Sequence, residues 1–286
     1  MAVHSGKHGI VHVANPAGGT GVKEPFVTDW SLADGQAPEV YRASNTRGGQ
    51  FVNAGVVDWS GGFNGIGATP LIMPGEIFDF EGYTAPTDNA YGTTGKTYTG
   101  EAICDSVTIN WSWAASASLS WSATFSAASA GLTESTILLD DVTNTLPEIM
   151  CALAIETGAA GAEVALPNVT SASLTLSADN QSFTNSTTGS FTHRKAGNFN
   201  FTLAVTHQEE AETIAKGTDT RFRIYTTASL FWLIEWAHLA NYSGLTVNRT
   251  SGAIIESTMN FVMQGTSGSV LGKIVKPDST VVWPIP

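Results

Sequence analysis

Alternation of apolar and polar positions is the main pattern along this chain, and it predicts β-strands over most of its length. Between Glu101 and Trp113, apolar side chains alternate with Cys, Ser, Thr and Asn, with one slip at Asp105. The stretch from Leu119 to Phe125 alternates in the same way, and the AASAS segment between the two predicts a hairpin. Because successive side chains of a strand point to opposite faces, this alternation predicts sheets with one packed face.

The second half of the chain carries similar patterns, with one ambiguous segment. Charged and apolar residues alternate from Arg221 to Tyr225, which predicts a strand. Residues 245–263 predict two strands around a turn at Gly252. The apolar run from Leu230 to Ala240 is compatible with a helix or a buried strand. We favour the strand, because an internal repeat places this run opposite a strand-like segment.

The repeat begins at Val27 and at Val169, and the two copies match without a gap at an offset of 142 residues. Identical pairs are Val27/Val169, Thr28/Thr170, Ser31/Ser173, Leu32/Leu174, Ala54/Ala196, Gly55/Gly197, Gly75/Gly217, Phe80/Phe222, Tyr83/Tyr225 and Thr84/Thr226. Towards the end of each copy the offset becomes 136, and we place the difference in the loop of residues 86–95. Identities that recur at one offset favour a tandem duplication over two sheets that agree by chance.

The repeat divides the chain into five parts. Residues 1–26 are predicted to be an N-terminal arm, residues 27–129 a first β domain, and residues 168–265 a second. Residues 130–167 form a connector, in which apolar residues spaced by three and four predict a helix within residues 137–154, capped by Thr145. The arm contains a VHVAN stretch that fits an edge strand. Residues 266–286 form a tail whose apolar end is expected to dock on a neighbouring subunit.

Composition narrows the function classes. Only 13% of the residues are charged and the net charge is −12, which argues against a nucleic-acid clamp, since a clamp needs Lys and Arg to neutralise phosphates. A surface along which nucleic acid slides without sticking remains compatible with this charge. Cys104 and Cys151 are expected to be small buried residues rather than a disulfide framework. The apolar runs are too short to span a bilayer, so no membrane partner is predicted.

The sequence predicts no enzyme. Asp140 and Asp141 are adjacent acids without a matching acid elsewhere, and His193, His207 and His238 occur outside any catalytic motif. No catalytic, cofactor-binding or metal-binding residue is therefore assigned, and no cofactor is expected.

Three further groups of residues fit structural roles better than chemical ones. His4, His8 and His12 would share a face on a helix, but Gly6 and Gly9 disfavour a helix there, so a solvated arm is preferred to a metal site. The tryptophans at alternating positions are expected to be core or subunit-contact residues rather than a ligand cage: Trp59, Trp111, Trp113 and Trp121. An acidic loop after residue 205 is interpreted either as a solvated turn or as a contact with a neighbouring subunit: Glu209, Glu210 and Glu212.

Two stretches resemble the tail tube proteins of long-tailed bacteriophages. The first runs from Gly100 to Phe125 and is followed by AASAGLTE. It is similar to the family's closing Gly-X-Ala strand, paired hairpin strand and Ser/Gly-Leu-Thr ending. The second runs from Val169 to Val205, with Ser-Ala-Asp-Asn at the turn, and resembles the family's opening strands. The chain departs from the family in fusing two copies, neither of which has every feature of the pattern.

The resemblance implies a fold, a function and partners. Each copy would be a β-sandwich or half-barrel with a flanking helix, and sheets would join edge to edge into a ring of six domains, hence three chains. Stacked rings would form the hollow tail tube of the virion, assembled in the cytoplasm of the bacterial host. DNA would pass through without sequence-specific binding, kept mobile by a negative lining. Other partners would be tape measure, terminator, and distal tail or baseplate proteins. The alternatives are a capsid decoration or tail-terminator protein, and less so a carbohydrate-binding β-sandwich module.

Overall fold

The structure is a computed structural model, and it describes residues 10–36, 39–41, 51–53, 57–84, 96–113, 119–129, 131–135, 150–158, 161–184, 191–208, 221–235, 245–248, 256–262 and 273–283. These residues form strands in open antiparallel sheets, joined by turns, and they contain no α-helix. The mainly β fold class is confirmed, whereas the flanking helix is not seen among the residues described.

The described residues form twenty strands. In chain order they are β1 (Ile10–Ala14), β2 (Val22–Lys23), β3 (Val27–Gln36), β4 (Glu39–Tyr41), β5 (Phe51–Asn53), β6 (Val57–Ile66), β7 (Ile77–Tyr83), β8 (Thr97–Ser112), β9 (Leu119–Ala127), β10 (Thr133–Ser135), β11 (Ala154–Gly158), β12 (Val164–Ala165), β13 (Val169–Phe183), β14 (His193–Gln208), β15 (Arg221–Tyr225), β16 (Phe231–Glu235), β17 (Leu245–Asn248), β18 (Glu256–Val262), β19 (Lys273–Val275) and β20 (Val281–Trp283).

The hairpin β3–β6 and the hairpin β13–β14 have the same register. When 142 is added to both residue numbers of any opposed pair in the first hairpin, the result is an opposed pair of the second. Equivalent opposed pairs are Val27–Gly65 and Val169–His207, Trp30–Phe63 and Ala172–Val205, and Gln36–Val57 and Ala178–Phe199. Both hairpins also carry a register shift directly after their first pair. Register sets which side chains face the core, so this match means that the two hairpins present equivalent faces.

The correspondence continues into the neighbouring strands. Strand β9 pairs with β6 as β18 pairs with β14, with the later strand offset by 136. The equivalent pairs are Ser60–Ser126 and Thr202–Val262, and Ile66–Ser120 and Gln208–Glu256. Strand β1 pairs with β7 as β11 pairs with β15, beginning with Ile10–Tyr83 and Ala154–Tyr225. We therefore define a first unit, β1–β10, and a second unit, β11–β20.

Each unit consists of two layers of strands. In the first unit one layer has the order β3-β6-β9-β8 and the other the order β2-β1-β7-β8-β10. In the second unit the corresponding layers are β13-β14-β18-β17 and β12-β11-β15-β16-β19-β20. Strand β8 runs through both layers of the first unit and has a register shift between Cys104 and Ser106, where the alternation slips at Asp105. The second unit has two strands, β16 and β17, in place of β8.

Equivalent aromatic residues fill the space between the layers. Phe80 of β7 contacts Phe125 of β9 with ring centroids 5.0 Å apart, and Phe222 of β15 contacts Phe261 of β18, also at 5.0 Å. All four side chains are at most 2% exposed. Aromatic side chains bury large apolar areas, so this repeated contact contributes strongly to the core of both units. The prediction that the alternating tryptophans belong to the core is confirmed for Trp59, Trp111 and Trp121, which are buried, and Trp113 packs against the same core.

Several sequence-based boundaries differ from the structure. The predicted arm contains β1 and β2, and Val11 and Val13 are buried, because β1 completes the layer of β7. The predicted tail contains β19, which pairs with β16 and so belongs to the sheet of the second unit. In the connector, residues 150–153 are not helical and Ala154 begins β11, while the rest of the helix candidate lies outside the described residues.

Other predicted elements are confirmed. The long alternating segment is β8, and its hairpin partner is β9. The predicted strands β15, β17 and β18 are present. The ambiguous apolar run is a strand over Phe231–Glu235, as favoured, directly after Leu230, and residues 236–240 lie outside the described residues.

Candidate assembly surfaces

The two units are joined by direct pairing of β8 with β13, which we call the seam. Seven opposed pairs run from Ser171–Ser112 to Ser177–Ser106 without a register shift. Ser173 Oγ donates a hydrogen bond to Asn110 Oδ1 at 2.7 Å, and the hydroxyls of Thr108 and Thr175 lie 3.2 Å apart. The seam therefore makes one continuous sheet from strands of both units, held by backbone pairing and by polar cross-strand contacts.

A charged contact reinforces the seam at one end. The Arg194 guanidinium of β14 forms a two-nitrogen contact with the Asp58 carboxylate of β6, with N–O distances of 2.7 and 2.5 Å. Arg194 also donates to the carbonyl of Ala127 at 2.9 Å. The hydrogen bond to Asp58 raises the pKa of Arg194, although partial burial opposes the rise. A paired guanidinium of this kind orients one unit on the other, because its planar donors match the carboxylate.

A second contact between the units lies away from the seam. Lys276, in the turn between β19 and β20, donates to the carbonyl of Pro70 at 3.1 Å, and the Leu71 N–H donates to Glu24 Oε1 at 2.9 Å. Burial raises the pKa of Glu24 to about 8, against the opposing effects of the Leu71 hydrogen bond and the Lys276 charge. Burial also lowers the pKa of Lys276. The segment after β6 is thus enclosed between a buried carboxyl of its own unit and a buried amine of the other.

Two strands at the ends of this continuous sheet have an open edge. Within the described residues, β3 pairs with β6 alone and β17 pairs with β18 alone. Leu32 of β3 is half-buried, whereas its equivalent in β13, Leu174, is fully buried beneath the seam. An open edge presents unpaired N–H and C=O groups and is a template for pairing with another strand.

The outer face of the continuous sheet is mainly polar, and its acidic side chains stand towards the ends of the strands: Asp29, Asp58, Asp179 and Glu256. Hydroxyl and amide side chains occupy most of its other alternate positions: Ser31, Ser60, Asn64, Ser106, Thr108, Asn110, Ser120, Ser122, Thr124, Ser171, Ser173, Thr175, Ser177, Asn198, Asn200, Thr202, Thr206, Thr258 and Asn260. Neighbours on this face are hydrogen-bonded across strands, as with Ser106 and Thr124 at 2.7 Å and Thr206 and Thr258 at 3.1 Å. In each described strand, the stretch from the first to the last of these hydroxyl and amide positions contains no Lys or Arg on this face.

The histidine and acidic residues that could carry chemistry lie apart from these surfaces or outside the described residues. His12 is buried in β1, with its ring 5.5 Å from that of Tyr83. His193 and His207 stand at opposite ends of β14, and burial lowers the pKa of His207. The other candidates lie outside the described residues: His4, His8, Asp140, Asp141, Glu209, Glu210, Glu212 and His238.

The remaining chemical features are few. Cys104 is buried and Cys151 is half-buried, and neither forms a disulfide. Burial raises the pKa of the Cys104 thiol well above its ordinary value. In the portion of the chain that the structure covers, no cluster of three or more His, Cys, Asp or Glu side chains is arranged to hold a metal ion. The same portion contains no helix of the length and apolarity that crossing a membrane requires.

Comparison with known proteins adds no assignment. No protein-family model matches this chain. No curated protein matches it either.

The residues that shape these surfaces were only partly recognisable from sequence. The identity of Ser31 with Ser173 and of Leu32 with Leu174 marked β3 and β13 as equivalents. The equivalence of Asn110 with Asn248 was missed, because the sequence offset of 136 places Thr246 opposite Asn110. The strand pairing shows that the counterpart of Asn110 is Asn248, two residues after Thr246.

Proposed function

We propose that this chain is a structural virion protein that forms the hollow tail tube of a long-tailed bacteriophage. Three two-unit chains form each ring, the rings stack, and DNA passes through the lumen. The tube assembles in the host cytoplasm together with tape measure, terminator, and distal tail or baseplate proteins. The proposal joins the resemblance found in the sequence with three features of the structure.

The observation that carries the proposal is the repeated register of the two units together with their union in one sheet. A chain that already joins two like units edge to edge contains one of the unit-to-unit contacts of the proposed ring. Such a contact is heterologous, since it uses two different edges, and heterologous contacts that close produce rings. Fusing two units in one chain reduces the number of chains in a six-unit ring to three.

The polar outer face supports a role in conducting DNA. Proteins that hold DNA neutralise its phosphates with Lys and Arg, and this face offers hydroxyl and amide groups instead. Acidic side chains border it, including Asp29 and Glu256. We assign this face to the lumen, where a neutral to negative lining lets the duplex move freely.

The aromatic residues favour this function over a carbohydrate-binding module. Such a module needs exposed aromatic rings along one sheet face. Among the aromatic side chains that the structure describes, Phe183 is the most exposed, at 36%. The other described aromatic side chains are more deeply placed, and many fill the space between the layers.

Electron microscopy of the purified protein at high concentration tests this proposal. We expect hollow filaments or stacked rings, and native mass spectrometry of the smallest ring should give three chains. A protein that stays strictly monomeric at high concentration, with neither rings nor filaments in the images, would overturn the proposal.

A further inference from the structure

The seam inside the chain joins two unlike edges. One is the edge of β8 that β9 leaves free, and the other is the edge of β13 that β14 leaves free. The first unit has β3 in the position of β13, and the second has β17 in the position of the later part of β8. Within the described residues, each of these two strands lacks the partner that its equivalent has.

Strand pairing fixes the equivalence of β17 and β8 to the residue. Asn248 lies opposite Glu256 of β18, as Asn110 lies opposite Ser120 of β9. Glu256 and Ser120 are equivalent because they face equivalent residues on the other side. Asn248 is therefore the counterpart of Asn110.

The equivalence of β3 with β13 gives the partner of Asn248 in a neighbouring chain. Asn110 lies opposite Ser173 in the seam, and Ser173 corresponds to Ser31 in β3. A contact between chains built like the seam would place Asn248 of one chain opposite Ser31 of the next. Both positions keep the residue types of the seam, Asn and Ser.

The residues beside this pair also fit, with two departures. Leu32 would lie opposite Val247, which repeats the apolar pair Leu174–Ile109 of the seam. Ala33 is the counterpart of Thr175 and has no hydroxyl to contribute. Asp34 is the counterpart of Leu176, which is buried in the second unit. The contact between chains therefore has less apolar burial than the seam at its Asp34 end.

We propose that β17 of one chain pairs antiparallel with β3 of the next, with Asn248 opposite Ser31, in the register of the β8–β13 seam. This inference deepens the proposed function and rests on it, because the neighbour is another copy of this chain. The pairing covers the edge of β3 from Ser31 to Asp34, opposite the four residues of β17, and makes the sheet continuous from chain to chain. Hydrogen bonding of edge groups then supplies the direction and spacing of the assembly.

The seam also indicates which pairs suit a covalent test. The Trp113 N–H donates to the Thr170 carbonyl at 2.9 Å, so these two opposed residues form a hydrogen-bonded pair. From there along the ladder, pairs without mutual backbone hydrogen bonds alternate with hydrogen-bonded pairs. By this alternation Asn110–Ser173 is a pair without mutual backbone hydrogen bonds. Side chains approach most closely at such pairs, and the same holds for Asn248 and Ser31 in the proposed contact.

The test is disulfide formation in the assembled full-length protein carrying Ser31→Cys and Asn248→Cys, in a Cys151→Ser background. Cys104 is buried and is left in place. The matched control carries Ser31→Cys with Val247→Cys, because a shift of one residue places the second thiol on the opposite face of the sheet. We expect about tenfold more cross-linking between chains in the first variant than in the control, since only its geometry suits the bond. Variants carrying Ser31→Cys alone or Asn248→Cys alone give the background level of cross-linking that arises from random collisions between chains.

The products separate the failure of this inference from the failure of the proposed function. A non-reducing gel that ends at a three-chain product supports both the pairing and the ring. A ladder that continues past three chains supports the pairing and contradicts the ring of three. Rings or filaments without the cross-link contradict the pairing alone. A monomer without cross-links contradicts both, and it indicates that another segment of the same chain covers the edge.

A second variant guards against poor assembly of the cysteine variants. By the alternation of the seam, the backbone N–H of Asp34 points to the open edge of β3, since its counterpart Leu176 bonds across the seam. Asp34→Pro removes that donor and is tolerated in an edge strand. We expect chains that fold but no longer assemble, whereas Asp34→Ala assembles normally. Equal assembly of the two variants would contradict the pairing of β3.

Discussion

The hairpins β3–β6 and β13–β14 have the same register, but within the described residues only β13 is paired on its other side. This difference shows which edge of the chain is available for a further strand. In the second unit β13 is covered by β8, and Leu174 is fully buried. In the first unit its equivalent β3 has no strand on that side among the described residues, and Leu32 is half-buried. Since the hairpins match residue for residue, the greater exposure of Leu32 goes with the lack of a described strand at that edge rather than with a different fold. The layer of β1 and β7 has its counterpart in the layer of β11 and β15, but the second unit has β16 and β17 in place of β8 and adds β19 and β20 to that layer.

The largest expected effect concerns the shared core. Phe80→Ala and Phe222→Ala should each lower the free energy of unfolding by about 3–5 kcal/mol, because each removes a fully buried ring. Denaturant titration of the two variants measures the loss, with the more exposed Phe183→Ala as a control of small effect. A loss in one unit several times that in the other would contradict the equivalence of their cores.

The next effect follows from a difference between the units. Glu24 directly follows β2 and is buried, and the residue that directly follows the equivalent strand β12 in the second unit is Leu166. The pKa of Glu24 is raised from 4.5 to about 8, so its protonated form is favoured on folding. Its contribution to stability is full below pH 4.5 and is lost as pH rises through 8. Within that window the free energy of unfolding should fall by about 1.4 kcal/mol for each pH unit.

Glu24→Gln should remove this dependence. Between pH 5 and pH 9 the free energy of unfolding of the natural protein should fall relative to that of the variant, because the variant has no carboxyl to ionise. Denaturant titrations at several pH values measure the difference. Parallel stability curves for the two proteins would show that Glu24 does not titrate as described.

A smaller effect is expected at the charged contact between the units. Arg194→Met leaves the Asp58 carboxylate without its guanidinium and should cost about 1–3 kcal/mol. Asp58→Asn with Arg194→Met should recover part of this loss, because no unpaired charge remains. A double-mutant cycle from denaturant titrations gives the coupling, and strictly additive losses would contradict a direct role in joining the units.

The smallest effect compares the seam with the open edge. Ser173→Ala removes the hydrogen bond to Asn110 and should cost about 0.5–1.5 kcal/mol in the free chain. Ser31→Ala, at the equivalent position, should leave the stability of the free chain unchanged and instead weaken assembly. Sedimentation of the two variants over a concentration series, beside denaturant titration, measures both quantities. Equal losses of chain stability would show that β3 is already paired within its own chain.

The sequence predicted much of the fold because alternation and repetition are both local signals. The slip at Asp105 marked a true register shift in β8, and the match between Val27 and Val169 marked hairpins of equal register. The arm was misjudged, since five residues of β1 carry too little pattern to reveal pairing with a strand far along the chain.

The candidate surfaces were harder to predict. The seam depends on contacts between strands of different units, and sequence periodicity does not specify which strands lie side by side. The position of Asn248 depends on a hairpin whose length differs between the units, so the sequence offset placed it two residues away. The buried pair of Glu24 and Lys276 joins distant turns and has no local signal.

A three-dimensional reconstruction of the assembled protein, resolved well enough to separate strands, tests the central claim most directly. We predict that β17 of one chain lies beside β3 of the next at the ordinary strand spacing of about 4.8 Å, and that this contact superimposes on the β8–β13 seam. Six similar units should then surround each ring axis. A map in which β3 faces solvent, or pairs with anything other than β17 of a neighbour, would contradict the claim.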